Sequence, residues 1–131
     1  MAPLVTNAGH AVSAGRMKGA TPAQAEPLFI QWGTSATAES ATQTALVAPA
    51  AEARVSGTSS LTTTTVTNDT YQVTGSITSA SAQTIQEVGL FDGAGSGSPA
   101  TGNNMFLRGV HTAKVLAIGD AIAYTINDQK T

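Results

Sequence analysis

Strict alternation of apolar and polar residues is the pattern that most constrains how this chain can fold. From Tyr71 to Ile77 every second residue is apolar or Gly, and the residues between them are polar. Successive side chains of a β-strand point to opposite faces, so this pattern predicts a half-buried antiparallel strand. Residues 122–126 repeat it near the end of the chain, with Ile122, Tyr124 and Ile126 on one face.

Other segments have the composition of strands, and we predict seven or eight strands in all. The run from Leu61 to Thr67 is almost entirely β-branched, which favours strand over helix, and Asn68-Asp69 predicts the turn that follows. The remaining strand candidates are residues 28–33, 54–56, 84–91, 105–110 and 114–117. No convincing helical pattern and no internal repeat is present. The sequence therefore predicts an all-β fold, an antiparallel β-sandwich of Greek-key or jelly-roll type.

Few residues are available to fill the core of such a sandwich. Leu, Ile, Val and Phe together make up 25 of the 131 residues, and charged residues are only 11% of the chain, with a net charge of −2. A small core predicts a marginally stable monomer, since stability rises with the surface that folding buries. A surface poor in charge suits permanent contact with other proteins, so the composition favours an assembled state.

The first 27 residues differ from the rest, and we predict an extended N-terminal arm over residues 1–27 and a β-sandwich domain over residues 28–131. Pro and Gly recur through this segment, and its apolar residues follow neither a helical nor an alternating pattern. Thr21-Pro22 resembles the start of a helix, but Pro27 would end that helix after one turn. Such an arm is ordered only where it lies against something else.

Two long segments inside the predicted sandwich domain are predicted to be loops. Residues 34–51 are rich in Ala, Thr and Ser, and Leu46 is their predicted anchor. Residues 93–104 contain no strong core former and predict a flexible Gly-rich surface loop.

The chain shows no pattern typical of an enzyme, and we predict no catalytic, cofactor-binding or metal-ligating residues. It contains no Cys, no P-loop and no GxSxG motif, and its carboxylates are spread singly. His10 and His111 have no ligand partner at chelating spacing, which favours ordinary surface or interface positions. No secretory signal and no membrane-spanning run is apparent, and the scattered Lys and Arg form no nucleic-acid-binding face.

Three residues have two possible roles. Trp32, the only Trp, is predicted to be a core residue at the end of the first strand rather than an interface anchor. Arg54 and Arg108 are expected to pair with Glu52 or Glu87, with surface pairs as the simplest interpretation.

Two segments carry a family resemblance, residues 30–55 and, more strongly, residues 85–126. The sequence IQEVGLFD (residues 85–92), followed by a Gly-rich loop, MFLR (residues 105–108) and IGDAIAYTI (residues 118–126), resembles small structural proteins of tailed bacteriophages. These include capsid decoration (cement) proteins and modules of tail-fibre or collar proteins. The resemblance implies a β-sandwich without catalytic residues, with Val88, Leu90 and Phe91 in the core and Gly89 at a bulge or close backbone approach. It also suggests that Glu87 and Arg108 pair across their strands.

The resemblance and the composition together predict a function. We expect a cement protein that binds the capsid exterior of a virion, after synthesis in the host cytoplasm, and cross-links major capsid subunits. The expected partners are the major capsid protein and the chain itself, as a homodimer or homotrimer. We expect the capsid contacts to lie in residues 1–27, 34–51 and 93–104. The alternatives are a tail-fibre or collar module and a carbohydrate-binding sandwich, which would need exposed Trp or Tyr side chains.

Overall fold

Antiparallel strands form two sheets that pack face to face. The structure is a computed structural model, and it describes residues 3–19 and 25–131. In chain order the elements are β1 (Leu4–Val5), α1 (Asn7–Lys18), β2 (Phe29–Gly33), β3 (Val55–Ser56), β4 (Thr58–Thr62), β5 (Thr70–Thr78), β6 (Gln83–Phe91), β7 (Met105–Leu116) and β8 (Ala121–Gln129). The first sheet has the order β1-β7-β6-β2-β3 and the second the order β4-β5-β8. The predicted antiparallel β-sandwich is confirmed.

The core lies between the two sheets and follows the alternation of the sequence. On β5, Val73 and Ile77 are almost fully buried, and on β8 Ile126 is buried beside them. They face Val88 and Leu90 of β6, neither of which is exposed at all. Phe91 is also buried, but it packs with Leu46 and Met105 in a second cluster, which confirms Leu46 as the anchor of its loop.

The N-terminal segment is not an extended arm, and that prediction is wrong for residues 7–18. These residues form α1, whose N-cap is Thr6: the Thr6 hydroxyl accepts a hydrogen bond from the Gly9 N–H at 3.0 Å. Val12 is fully buried in the core, and β1 pairs with β7. A Cβ on Gly9 would lie only 2.0 Å from the Phe106 carbonyl oxygen, so Gly lets α1 approach β7 closely.

The physical reason for this error is that α1 has almost no apolar face. Its buried residues are Gly9 and Val12, so tertiary contact rather than amphipathic pattern holds the helix in place. The one-turn helix predicted at Thr21-Pro22 lies outside the described residues. Among the helices that the structure does describe, none is long and apolar enough to cross a membrane.

Two strand boundaries also differ from prediction. The strand expected over residues 61–67 ends at Thr62, because the Asp69 carboxylate accepts hydrogen bonds from the Thr64, Thr65 and Val66 N–H groups at 2.8–3.0 Å and forms a turn. The same hydrogen bonds hold the pKa of Asp69 well below its ordinary value. The short piece predicted at residues 114–117 is the end of β7, which runs unbroken from Met105 to Leu116.

Candidate interaction surface

A buried ion pair lies on the face of β6 and β7 that points away from the sandwich core. The Arg108 Nε donates to Glu87 Oε1 at 2.9 Å, and both side chains are almost completely buried. The register aligns Gly89 of β6 with Arg108 of β7, which brings the two side chains to the same face. The predicted pairing of Glu87 with Arg108 is confirmed. It is a buried pair rather than a surface pair.

Glu87 also holds the long loop of residues 34–51. Its carboxylate accepts hydrogen bonds from the N–H groups of Ser35 at 3.2 Å, Val47 at 3.0 Å and Ala48 at 2.8 Å. One carboxylate therefore binds both ends of the loop and folds it over the outer face of the sheet. Four hydrogen bonds to an ionised carboxylate are the kind of charge-assisted contact that fixes backbone geometry strongly.

Arg108 fixes the middle of the same loop. Its Nη1 donates to the Thr37 carbonyl oxygen at 2.8 Å. Glu39, the one charged residue of the loop, turns back and accepts a hydrogen bond from the Val110 N–H of β7 at 2.8 Å. Gly89 lies under the loop, where a Cβ would come within 2.9 Å of the Leu46 side chain. The close approach at Gly89 is therefore to side chains, and not to the backbone as expected.

Arg54 performs the corresponding role for the Gly-rich loop of residues 93–104. Its Nη1 donates to the carbonyl oxygens of Gly93 and Gly102, each at 3.0 Å, and its guanidinium lies 3.7 Å from the centroid of the Phe91 ring. Burial lowers the pKa of Arg54, and the nearby Asp92 carboxylate opposes that shift. The expected pairing of Arg54 with Glu52 or Glu87 is wrong, because Arg54 binds backbone carbonyls instead.

Two further side chains close the Gly-rich loop. Asp92 accepts hydrogen bonds from both the backbone N–H and the side-chain amide of Asn104 at 2.8 Å, which joins the two ends of the loop. Gln31 accepts from Arg54 Nε and donates to the Ala100 carbonyl oxygen at 3.0 Å. The loop lies at the surface, as predicted, but its base is tied to the sheet.

The three segments predicted as contact regions adjoin one another. The Ser98 hydroxyl of one loop donates to the Ala51 carbonyl oxygen at the end of the other, at 2.9 Å. The Asn7 N–H at the start of α1 donates to the Ala41 carbonyl oxygen at 2.8 Å. We name the outer side of residues 34–51 and 93–104 the loop surface. It carries short side chains and no charge other than Glu39.

The other residues singled out by sequence lie apart from the loop surface or inside the protein. Trp32 is fully buried, and its Nε1 donates to Glu52 at 2.9 Å, so the core prediction is confirmed. His111 lies against Tyr124, with 2.9 Å between the ring Nε2 and the phenol oxygen. Across residues 3–19 and 25–131, no three His, Asp or Glu side chains form a group that could hold a metal ion.

The contribution of Arg54 could not be read from the sequence, because its partners are backbone carbonyls distant in the chain. The other loop-fixing residues had a signal in the sequence, because Glu87, Asp92 and Arg108 all belong to the segments IQEVGLFD and MFLR. Comparison with protein families, with curated proteins and with solved structures gives no match. The geometry therefore assigns the motif a physical task, which is to hold two loops on one face of the sandwich.

Replacing Arg54 with Met should loosen the Gly-rich loop selectively. The variant removes the charge-assisted hydrogen bonds to Gly93 and Gly102, and we expect the free energy of unfolding to fall by about 2–3 kcal/mol. Amide hydrogen exchange should accelerate within residues 93–104 but not within residues 34–51. Lys114→Met, at an exposed position of β7, is the control and should change stability by less than about 0.5 kcal/mol. Equal losses in the two variants would contradict this assignment.

Proposed function

We propose that this chain is a structural protein of a tailed bacteriophage. It binds the outer surface of the capsid, cross-links neighbouring major capsid subunits and also associates with itself. The observation that carries the proposal is the loop surface, which is nearly uncharged and is held by the buried side chains of Glu87, Arg108 and Arg54. The resemblance of residues 85–126 to small phage structural proteins supports the same function.

A surface of this kind is suited to permanent binding. Loops that are already fixed lose little conformational entropy on association, and short side chains have few rotamers to give up. Glu39 is the one charge among these loop residues, and one of its carboxylate oxygens already accepts a hydrogen bond from the Val110 N–H. Each contact is modest, but many copies on a fixed lattice reinforce one another, which makes the shell hard to open.

The N-terminal segment lies next to the loop surface. The start of α1 contacts Ala41, so residues at the beginning of the helix border the loop surface. Deleting residues 1–27 would be a poor test, since Val12 of α1 is part of the core. Point substitutions on the loop surface test the proposal without disturbing the fold.

The copy number per virion distinguishes the capsid from the tail. Quantitative mass spectrometry of virions should find hundreds of copies for a capsid cement protein, as expected from a lattice with many equivalent sites. A handful of copies, recovered with purified tails, would overturn the proposal in favour of a tail-fibre or collar module. The carbohydrate-binding alternative has no support from Trp32, which is fully buried.

Charge placed on the loop surface should reduce capsid binding. Ala45 and Ala94 are exposed on the two loops, so Ala45→Glu and Ala94→Glu each add a charge that contact would have to desolvate. We expect at least a tenfold weaker binding to capsids stripped of the protein, measured by co-sedimentation. The matched control is Thr74→Glu, on the exposed face of β5 in the other sheet. Unchanged occupancy with both loop variants would overturn the proposal.

A further inference from the structure

The free edge of β8 is the longest regular strand edge that the described residues leave unpaired. The second sheet ends with β8, whose nine residues pair with β5 in an unbroken register. By contrast, the first sheet ends in β1 and β3, which have two residues each. Where β1 stops, the Glu39 carboxylate accepts a hydrogen bond from the Val110 N–H, so one of the open groups on that edge of β7 has a partner. Proteins usually protect an edge strand in this way, because its open N–H and C=O groups attract other strands.

Within residues 3–19 and 25–131, no strand pairs with the free edge of β8 and no side chain hydrogen-bonds to it. From Ala121 to Asn127 the strand has no charged residue and no Pro, and its register with β5 shows no bulge. An open cleft of about 480 Å³ separates part of this edge from β7, so the edge is accessible. Tyr124 lines this cleft beside His111, and burial raises the pKa of its phenol.

Backbone hydrogen bonds identify the residues whose polar groups point to this edge. The Lys130 N–H donates to Asp69, and the Asp120 carbonyl accepts from the Ser79 N–H, both on the β5 side. Because hydrogen-bonding direction alternates along an antiparallel strand, even-numbered residues of β8 face β5. The odd-numbered residues, from Ala121 to Gln129, therefore present their N–H and C=O groups to the free edge.

We infer that the free edge of β8 binds β8 of a second copy of this chain, antiparallel, about a two-fold axis at Thr125. Thr125 is the centre of the nine-residue strand, so this register pairs its full length. Thr125 is also an edge-facing residue, and the register would form about ten backbone hydrogen bonds between the copies. Two three-stranded sheets would become one continuous six-stranded sheet.

The side chains agree with this register. With the two-fold axis at Thr125, each odd-numbered residue of β8 lies opposite an odd-numbered residue of the second copy, and each even-numbered residue opposite an even-numbered one. Because the even-numbered side chains form the apolar face, that face continues from one copy into the other. Tyr124 would lie opposite Ile126 of the second copy, and Asp120 opposite its Lys130, which joins opposite charges at both ends. A register centred on Tyr124 would instead oppose Asp120 and Asp128, two like charges. The inference deepens the self-association part of the proposed function and is independent of its capsid part.

Cysteine substitution tests both the contact and its register, since the chain contains no Cys. Thr125→Cys should form a disulfide-linked dimer under mild oxidation, because paired Cα atoms about 5.5 Å apart are within disulfide range. Asn127→Cys should not, since its copies would be roughly 14 Å apart in this register. Thr74→Cys, exposed on the same face of the sheet but on the inner strand β5, controls for random collision. Efficient cross-linking of either control, or none of Thr125→Cys, would overturn the inference.

Light scattering of the full-length protein without capsids supplies a second measurement. The parent chain should have the mass of a dimer. Thr125→Lys, which opposes two like charges at the axis, should have the mass of a monomer while Thr74→Lys remains dimeric. Circular dichroism would establish that each variant is folded. A monomeric parent, or a dimeric Thr125→Lys variant, would overturn the inference, whereas capsid occupancy of the parent chain is a separate result that tests the proposed function.

Discussion

Replacing Glu87 with Ala should lower the free energy of unfolding by about 3–5 kcal/mol, as expected when one partner of a buried ion pair is removed. The substitution leaves the Arg108 guanidinium buried without its carboxylate. It also leaves the N–H groups of Val47 and Ala48 without their acceptor. Chemical denaturation measures the loss, and hydrogen exchange at Val47 and Ala48 should accelerate even under conditions where the sandwich stays folded.

The ion pair itself is isolated by a double-mutant cycle. Arg108→Met alone should also be strongly destabilising, while the double variant Glu87→Ala/Arg108→Met should lose less than the sum of the two, because no charge is left buried alone. Lys114→Met is the control, since Lys114 is exposed and has no ion-pair partner in the described residues, and we expect a loss below about 0.5 kcal/mol. Additive losses in the double variant would contradict the assignment of Glu87 and Arg108 as a coupled pair.

Replacing Trp32 with Ala should destabilise the protein by about 3–5 kcal/mol, the usual loss when a large buried aromatic side chain is truncated. Trp32 is fully buried in the core cluster, and the variant leaves a cavity beside Ile30 and Val88. Thermal and chemical denaturation measure the loss. A change below about 1 kcal/mol would contradict the core assignment, because only an exposed residue tolerates such a truncation.

Trp32→Phe separates packing from hydrogen bonding. This variant keeps an aromatic ring but removes the Nε1 donor to Glu52, so we expect a smaller loss of about 1–3 kcal/mol. Glu52 would still accept hydrogen bonds from the Ala80 N–H and from Gln83. If Trp32→Phe retains its fold, its capsid occupancy should equal that of the parent chain, because Trp32 has no exposed surface to offer a partner.

Local patterns in the sequence predicted the parts of the fold that depend on local preference. The alternation from Tyr71 to Ile77 placed Val73 and Ile77 in the core, because side-chain direction in a strand depends only on position. The run from Leu61 to Thr67 misled, since branched side chains favour a strand but Asp69 offers its N–H groups a better acceptor in a turn. The residue pattern does not show whether the strand propensity of residues 61–67 or the turn formed by the Asp69 carboxylate is favoured.

The contacts of the candidate interaction surface were also only partly predictable from the sequence. The motif suggested that Glu87 and Arg108 meet, and the loops were evident from their lack of core residues. Nothing in the pattern showed that the Glu87 carboxylate holds both ends of residues 34–51, or that Arg54 binds the Gly-rich loop. These contacts join residues that are distant in the chain, and only folding brings them within hydrogen-bonding range.

The alternation of apolar and polar residues and the runs of β-branched side chains are local features, so the sequence was enough to predict an all-β sandwich. Its composition likewise predicted two long loops and little charge. The tertiary structure alone decided that α1 forms, since a helix with only Gly9 and Val12 buried depends on docking rather than on its own pattern. It also decided that the loops share one face and that β8 keeps an open edge. Those features depend on which strands become neighbours, and that depends on contacts between residues distant in the chain rather than on the pattern within any one segment.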